Sequence, residues 1–72
     1  MDLYRKYDII INKGDTEKAR KILHDLENDG ELDTSYISRW DENTVMCSFA
    51  PIVSDDIPMI INKLIEEGIQ VI

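Results

Sequence analysis

Two segments of this chain carry apolar side chains at helical spacing, and a glycine follows each of them. In the first segment the apolar residues recur at i, i+3, i+4 and i+7: Ala19, Ile22, Leu23 and Leu26. In the second segment they are Ile57, Ile60, Ile61, Leu64 and Ile65. This spacing places one apolar stripe along a helix, and the stripe has to be buried against another element. The rest of the chain must therefore supply a layer on which two helices can pack.

The ends of both helices can be predicted from single residues. Asp15 precedes the first helix and can accept a hydrogen bond from its free amides, and Gly30 tolerates the left-handed backbone of a helix exit. Residues 54–56 offer capping oxygens to the second helix. Pro58 fits only the first turn of that helix because it lacks an amide proton, and Gly68 closes it.

The second layer is predicted to be a β-sheet. Four segments have the β-branched, aromatic or alternating pattern of strands, and they are residues 7–11, 34–40, 44–50 and 69–72. Residues 41–43 are polar and form the turn of a short hairpin, and isoleucine on both faces of the first strand predicts that this strand is central. The order predicts one α+β domain over residues 1–72, the ferredoxin-like βαββαβ arrangement with two helices on one face of a four-stranded antiparallel sheet.

The net charge of this chain excludes several classes of partner. It is −7 over 72 residues, so the field of the protein repels nucleic acid and anionic membranes, and no direct nucleic-acid binding is predicted. Residues 1–24 carry +2 and residues 25–72 carry −9, a polarity that either steers a basic partner or keeps the surface solvated. The chain has no apolar run of membrane-spanning length and no signal-peptide pattern, which predicts a soluble, cytoplasmic protein without membrane insertion.

Two helices on one side of a sheet leave its other face open. Large side chains whose position in the strands allows them to point there are Ile10, Tyr36, Trp40 and Met46. Exposed aromatic and methionine side chains favour association between proteins. Tyr36, Trp40 and Met46 are therefore predicted to contact a protein partner or a second copy of the chain.

An acidic segment resembles a calcium-binding loop only in part. Residues 25–33 place acids at positions 1, 3, 5 and 9 of that pattern and glycine at position 6, but Tyr36 stands where a bidentate glutamate is needed. A strand is predicted to follow, whereas a calcium loop leads into a helix. No metal site is predicted, and Asp29, Glu31 and Asp33 are instead expected to contact a basic partner.

Catalytic and cofactor sites are not predicted either. His24 and Cys47 are the only candidates for a nucleophilic pair, but His24 lies opposite the apolar stripe and faces away from the sheet that carries Cys47. Residues 13–16 precede a helix but lack the glycine spacing of phosphate-binding loops, and Asp15 would repel an anion there. The chain is therefore predicted not to be an enzyme and to need no cofactor.

Four stretches of sequence resemble a known family. "YDIIIN", "DTEKARKIL", "NTVMCSF" and "DIPMIINKLIEEGIQVI" are similar to the small C-terminal accessory domain of bacterial ABC-transporter ATPases of the bacitracin-export and lantibiotic-immunity types. This resemblance covers nearly the whole chain and implies a bacterial regulatory module that contacts an ATPase core or the dimer mate of that core and tunes the transporter. The chain contains no G-x-x-x-x-G-K-[ST] loop, so the ATPase chemistry itself would lie elsewhere.

Two further functions stay open at this stage. The same pattern also resembles amino-acid-sensing ACT domains, which bind an amino acid between paired subunits beside the turn after the first strand, here residues 12–15. Alternatively, the acidic residues of 25–72 could imitate a phosphate backbone, as in a phage-type inhibitor of a nucleic-acid-binding enzyme. The acids concerned are Asp25, Glu27, Asp29, Glu31, Asp33, Asp41 and Glu42.

Overall fold

A computed structural model describes residues 6–52 and 56–72 of the chain. Three strands and two helices follow one another in the order β-α-β-β-α, with a short 3-10 turn at Lys13–Asp15 before the first helix. The elements are β1 (Tyr7–Asn12), α1 (Thr16–Asn28), β2 (Leu32–Arg39), β3 (Thr44–Pro51) and α2 (Ile57–Glu66). The strands form one antiparallel sheet in the order β1-β3-β2, so the hairpin partner β3 is the central strand.

The central strand organises the core of the domain. Cys47 of β3 lies between Ile9 of β1 and Ile37 of β2, and Val45 and Phe49 point to the same side. These side chains join the buried residues of both helices in one apolar cluster. The prediction that β1 is central was wrong, because within the described residues β1 has a strand partner on one side only. Its Ile10 is half-buried on the other sheet face, which explains why isoleucine occurs on both sides of β1.

The four-stranded ferredoxin-like prediction was also wrong. Residues 69–72 do not form a strand; they make one isolated bridge, between Ile11 and Val71, and the Ile72 N–H donates to the Ile10 carbonyl at 2.8 Å. Ile69 is buried in the core as part of the turn that ends α2. Among the described residues, the contact of this segment with the edge of β1 is therefore a single bridge and not a ladder of strand bonds.

The predicted helical stripes differ in how completely they are buried. All four stripe residues of α1 are buried, which confirms that prediction. In α2, Ile60 and Leu64 are fully buried, Ile57 and Ile61 are half-buried, and Ile65 is 52% exposed. Ile65 lies about 100° from Leu64 around the helix, at the margin of the stripe, and it falls outside the contact with the sheet.

Both helices end as the glycines predicted. Gly30 and Gly68 have φ of +80° and +89°, which other residues rarely adopt. After α1 the Glu31 N–H donates to the Leu26 carbonyl at 2.9 Å, and after α2 the Ile69 N–H donates to that of Leu64 at 3.1 Å. These are the bonds of Schellman motifs, which satisfy carbonyls left free at a helix end.

The helix starts differ from prediction in their hydrogen bonds. Asp15 occupies the N-cap position of α1 but makes no side-chain capping bond, and the Thr16 hydroxyl donates instead to the Lys13 carbonyl at 2.6 Å. Pro58 lies in the first turn of α2, as predicted, and Asp56 at the N-cap makes no capping bond. The other two residues predicted to cap α2, at 54 and 55, lie outside the described part of the chain.

Candidate functional site

Tyr36 and Met46, two of the predicted contact residues, lie on the sheet face opposite the helices. The register places Tyr36 beside Ser48, and it places Met46 between Ser38 and Ile10. Neither α1 nor α2 packs on this face, because their buried stripes belong to the cluster on the other side. We call it the open face and define it by six residues: Asp8, Ile10, Tyr36, Ser38, Met46 and Ser48.

Tyr36 interacts with a lysine on the open face. Its side chain is 47% exposed, and the Lys6 ammonium donates to its hydroxyl at 2.7 Å while lying 5.2 Å from the ring centroid. This hydrogen bond raises the pKa of Lys6 and is the main cause that lowers the pKa of Tyr36. The neighbouring Ser48 hydroxyl lowers the pKa of Tyr36 further, although among the described residues its buried oxygen completes no hydrogen bond.

Trp40 lies directly after the last residue of β2, where the hairpin turn begins. Its side chain is 59% exposed, and its backbone N–H donates to the Thr44 carbonyl at 3.3 Å. The turn that follows is held by Asp41, whose carboxylate accepts the N–H groups of Asn43 and Thr44, both at 2.8 Å. The Thr44 hydroxyl lies near the same carboxylate without hydrogen-bond geometry, and together with these amides it lowers the pKa of Asp41. Hydrogen bonds to Asp41 therefore hold the turn that directly follows Trp40.

The three predicted acidic contact residues lie at the other end of β2. Asp29 follows α1, Glu31 is half-buried, and Asp33 is exposed where the pairing of β2 with β3 shifts register. Asp33 and Trp40 are seven residues apart on an extended segment, a distance of about 23 Å. The predicted aromatic and acidic contacts therefore form two separate surfaces.

A surface cleft that the sequence did not indicate lies beside two of these acids. It has a volume of about 680 Å³ and runs between the end of α1 and the outer side of α2. The described residues that line it are Leu26, Asp29, Glu31, Pro58, Met59, Asn62, Lys63 and Glu66. Its two walls come from segments about thirty residues apart, and no local pattern signals that they meet. One signal of this cleft is present in the sequence: Met59 is an apolar residue of α2 that lies outside the apolar stripe.

The candidate nucleophiles are separated, as predicted. Cys47 is fully buried in β3, and burial raises the pKa of its thiol to about 11. His24 is exposed on α1, where its Nδ1 lies 3.3 Å from the side-chain nitrogen of Asn28.

Residues 25–28 belong to α1 and Leu32 begins β2, so the acidic segment is not a free loop. Among residues 6–52 and 56–72, no three His, Cys, Asp or Glu side chains gather as metal ligands would.

Two other hypotheses meet obstacles in the geometry. Residues 13–15 form a 3-10 turn, and the Lys13 N–H already donates to the Asn43 carbonyl at 2.8 Å, so it is not free for the carboxylate of an amino acid. The acids that would imitate nucleic acid are divided between the two ends of β2. One of them, Glu27, accepts a hydrogen bond from Ser35 at 2.6 Å and is half-buried.

Comparison of the chain with protein-family models, with curated proteins and with solved structures gives no match. The described helices are also too short or too polar to cross a membrane.

Proposed function

We propose that this domain is a non-catalytic protein-interaction module that binds a protein partner through the open face together with Trp40. The observation that carries the proposal is the exposure of two aromatic side chains, Tyr36 on the open face and Trp40 directly after the end of β2. Half-buried Met46 and Ile10 extend the apolar area between the strands. Tyrosine, tryptophan and methionine are enriched at protein interfaces, where their large area is removed from water.

Charge indicates what kind of partner fits this surface. Asp8 lies on the open face, and Asp41 and Glu42 follow Trp40, in a chain whose net charge is −7. The Lys6 ammonium lies at the hydroxyl end of the Tyr36 ring, and a lysine or arginine of the partner would interact with the exposed part of the ring. The partner segment is therefore one that combines apolar side chains with arginine or lysine.

The resemblance to the accessory domain of ABC-transporter ATPases supplies a candidate partner, the ATPase core. In this proposal the domain would act as a regulatory module in a bacterial cytoplasm, where the free thiol of Cys47 agrees with a reducing environment. The three-stranded sheet departs from the four strands that the residue patterns predicted. The proposal therefore depends on the open face and not on the family.

Peptide selection tests the proposal without a known partner. A random peptide library is selected on the wild-type domain, and binding of the selected peptides to the wild type and to each variant is followed by the fluorescence anisotropy of a dye attached to the peptide. We expect peptides with arginine or lysine beside apolar residues, and about tenfold weaker binding to Trp40→Ala and to Met46→Ser. Met59→Ser is the matched control, because Met59 is exposed on α2.

The proposal fails if the selected peptides bind Trp40→Ala and Met46→Ser as tightly as the wild type. It also fails if Met59→Ser weakens binding more than Met46→Ser does, since the helical side would then be the contact surface. Enrichment of acidic peptides would contradict the charge argument.

A further inference from the structure

Within residues 6–52 and 56–72, the outer edge of β2 is unpaired. It pairs with β3 on one side only, and the Trp40 N–H that donates to Thr44 shows that the even-numbered residues of β2 turn their backbone groups toward β3. Ser35, Ile37 and Arg39 therefore turn their N–H and C=O groups outward, and in the described part of the chain no strand accepts them. Such an edge is a template for pairing with another strand.

The side chains along this edge are charged in opposite senses at its two ends. On β2, Asp33 lies three residues before Tyr36 and Arg39 three residues after it. On α1, Arg20 and Glu27 line a small cleft of about 220 Å³ beside the same edge, together with Tyr36. Because the Glu27 carboxylate accepts a hydrogen bond from Ser35 and α1 runs antiparallel to β2, Glu27 lies toward the acidic end and Arg20 toward the basic end.

We propose that a second copy of this chain pairs with the outer edge of β2, antiparallel to it and about a two-fold axis near Tyr36. In this register Ser35 faces Ile37 of the second copy and Asp33 faces its Arg39. A two-fold axis repeats each contact, so two ion pairs form between strands, and Arg20 of each α1 approaches Glu27 of the other. The two sheets join into one sheet of six strands.

The charge pattern selects this arrangement over the alternatives. Parallel pairing would place acidic end beside acidic end, and like charges opposite each other destabilise a sheet. Arg20 now pairs with Glu17 on the exposed surface of α1, an interaction that is readily exchanged in solution. The register shift between Leu32 and Thr34 bends the edge at its acidic end, so the regular pairing extends over residues 34–38, and the pairs of Asp33 with Arg39 lie at its two ends.

The dimer and the proposed function share Tyr36, but their tests are separable, since the charge variants change Asp33 and Arg39 and leave Trp40 and Met46 intact. Sedimentation velocity on the whole chain tests it. We expect the wild type to dimerise, and Arg39→Glu and Asp33→Lys each to weaken dimerisation about tenfold or more. An equimolar mixture of the two variants should restore a dimer, because every interstrand pair then joins opposite charges. Lys63→Glu on α2 is the control and should dimerise like the wild type.

Cross-linking gives a second measurement at the two-fold axis. In a Cys47→Ala background, Tyr36→Cys should form an intermolecular disulfide on mild oxidation, because facing residues of this type have Cα atoms about 4.5 Å apart. Trp40→Cys should not, since it lies four residues from the axis. A wild type that remains monomeric at millimolar concentration overturns the proposal. So does a mixture of the charge variants that stays monomeric, or cross-linking at position 40 in place of 36.

Discussion

The two faces of the sheet are made of alternate residues of the same strands, yet they are stabilised in different ways. On the helix-covered side, Ile11, Cys47 and Phe49 are fully buried, because the stripes of α1 and α2 close over them. On the open face, Tyr36 stays exposed, whereas Ser48 in the central strand, between Tyr36 and Asp8, is buried. Burial on one face depends on packing of helices, and on the other it depends on strand order. The covered face should therefore determine stability, and the open face and the edge of β2 should determine binding.

The largest expected difference between the faces is in stability. Phe49→Ala removes a fully buried ring and should lower the free energy of unfolding by about 3–5 kcal/mol, whereas Met46→Ala on the open face should cost about 1 kcal/mol. Urea unfolding followed by far-UV circular dichroism measures both. Phe49→Leu serves if the alanine variant does not fold. Equal losses from the two alanine variants would show that the open face is also a packed interface.

A smaller difference is expected in thiol reactivity. Because burial raises the pKa of Cys47 from 9.0 to about 11, its thiolate fraction at pH 8 should be about 100-fold below that of an ordinary thiol. The comparison is with Met46→Cys in a Cys47→Ala background, which places a thiol on the open face one residue away. Reaction with an aromatic disulfide reagent should be about 100-fold faster for the thiol at position 46. Similar rates would mean that the covered face opens frequently in the native state.

The smallest expected effect is a pH dependence of the open face. The pKa of Tyr36 is lowered, so its phenolate stabilises the fold above its ordinary titration and this contribution is lost as the pH falls through the lowered value. The pKa of Lys6 is raised, so its contribution is present below its ordinary titration and is lost as the pH rises through the raised value. The phenolate and the ammonium therefore coexist in a window around pH 10.

Absorbance at 295 nm measures this titration directly. In Lys6→Met the Tyr36 component should move to higher pH, and in Tyr36→Phe it should be missing. Ser48→Ala should move it in the same direction by a smaller amount, because Lys6 is the larger cause. An unchanged curve in Lys6→Met would show that the contact between Lys6 and Tyr36 does not persist in solution.

The sequence predicted most of the local structure correctly. The stripe of α1, the turn at Asp41 and the exits at Gly30 and Gly68 agree with the structure. These features depend on residues a few positions apart, whose spacing fixes which side chains share a face and which backbone angles are possible. The exposure of Tyr36 and Trp40 also agrees with the predicted open face, while their binding of a partner remains a prediction.

Only the tertiary structure decided which strand is central, whether a fourth strand forms, and which surfaces come together. A strand sequence gives its two faces but not its neighbours, because backbone hydrogen bonds are the same whichever strand supplies them. Position in the sheet follows instead from contacts between distant segments, as when Ile69 packs into the core and leaves Val71 a single bridge to Ile11. The edge of β2 and the cleft beside Asp29 arise in the same way, from segments that meet only when the whole chain has folded.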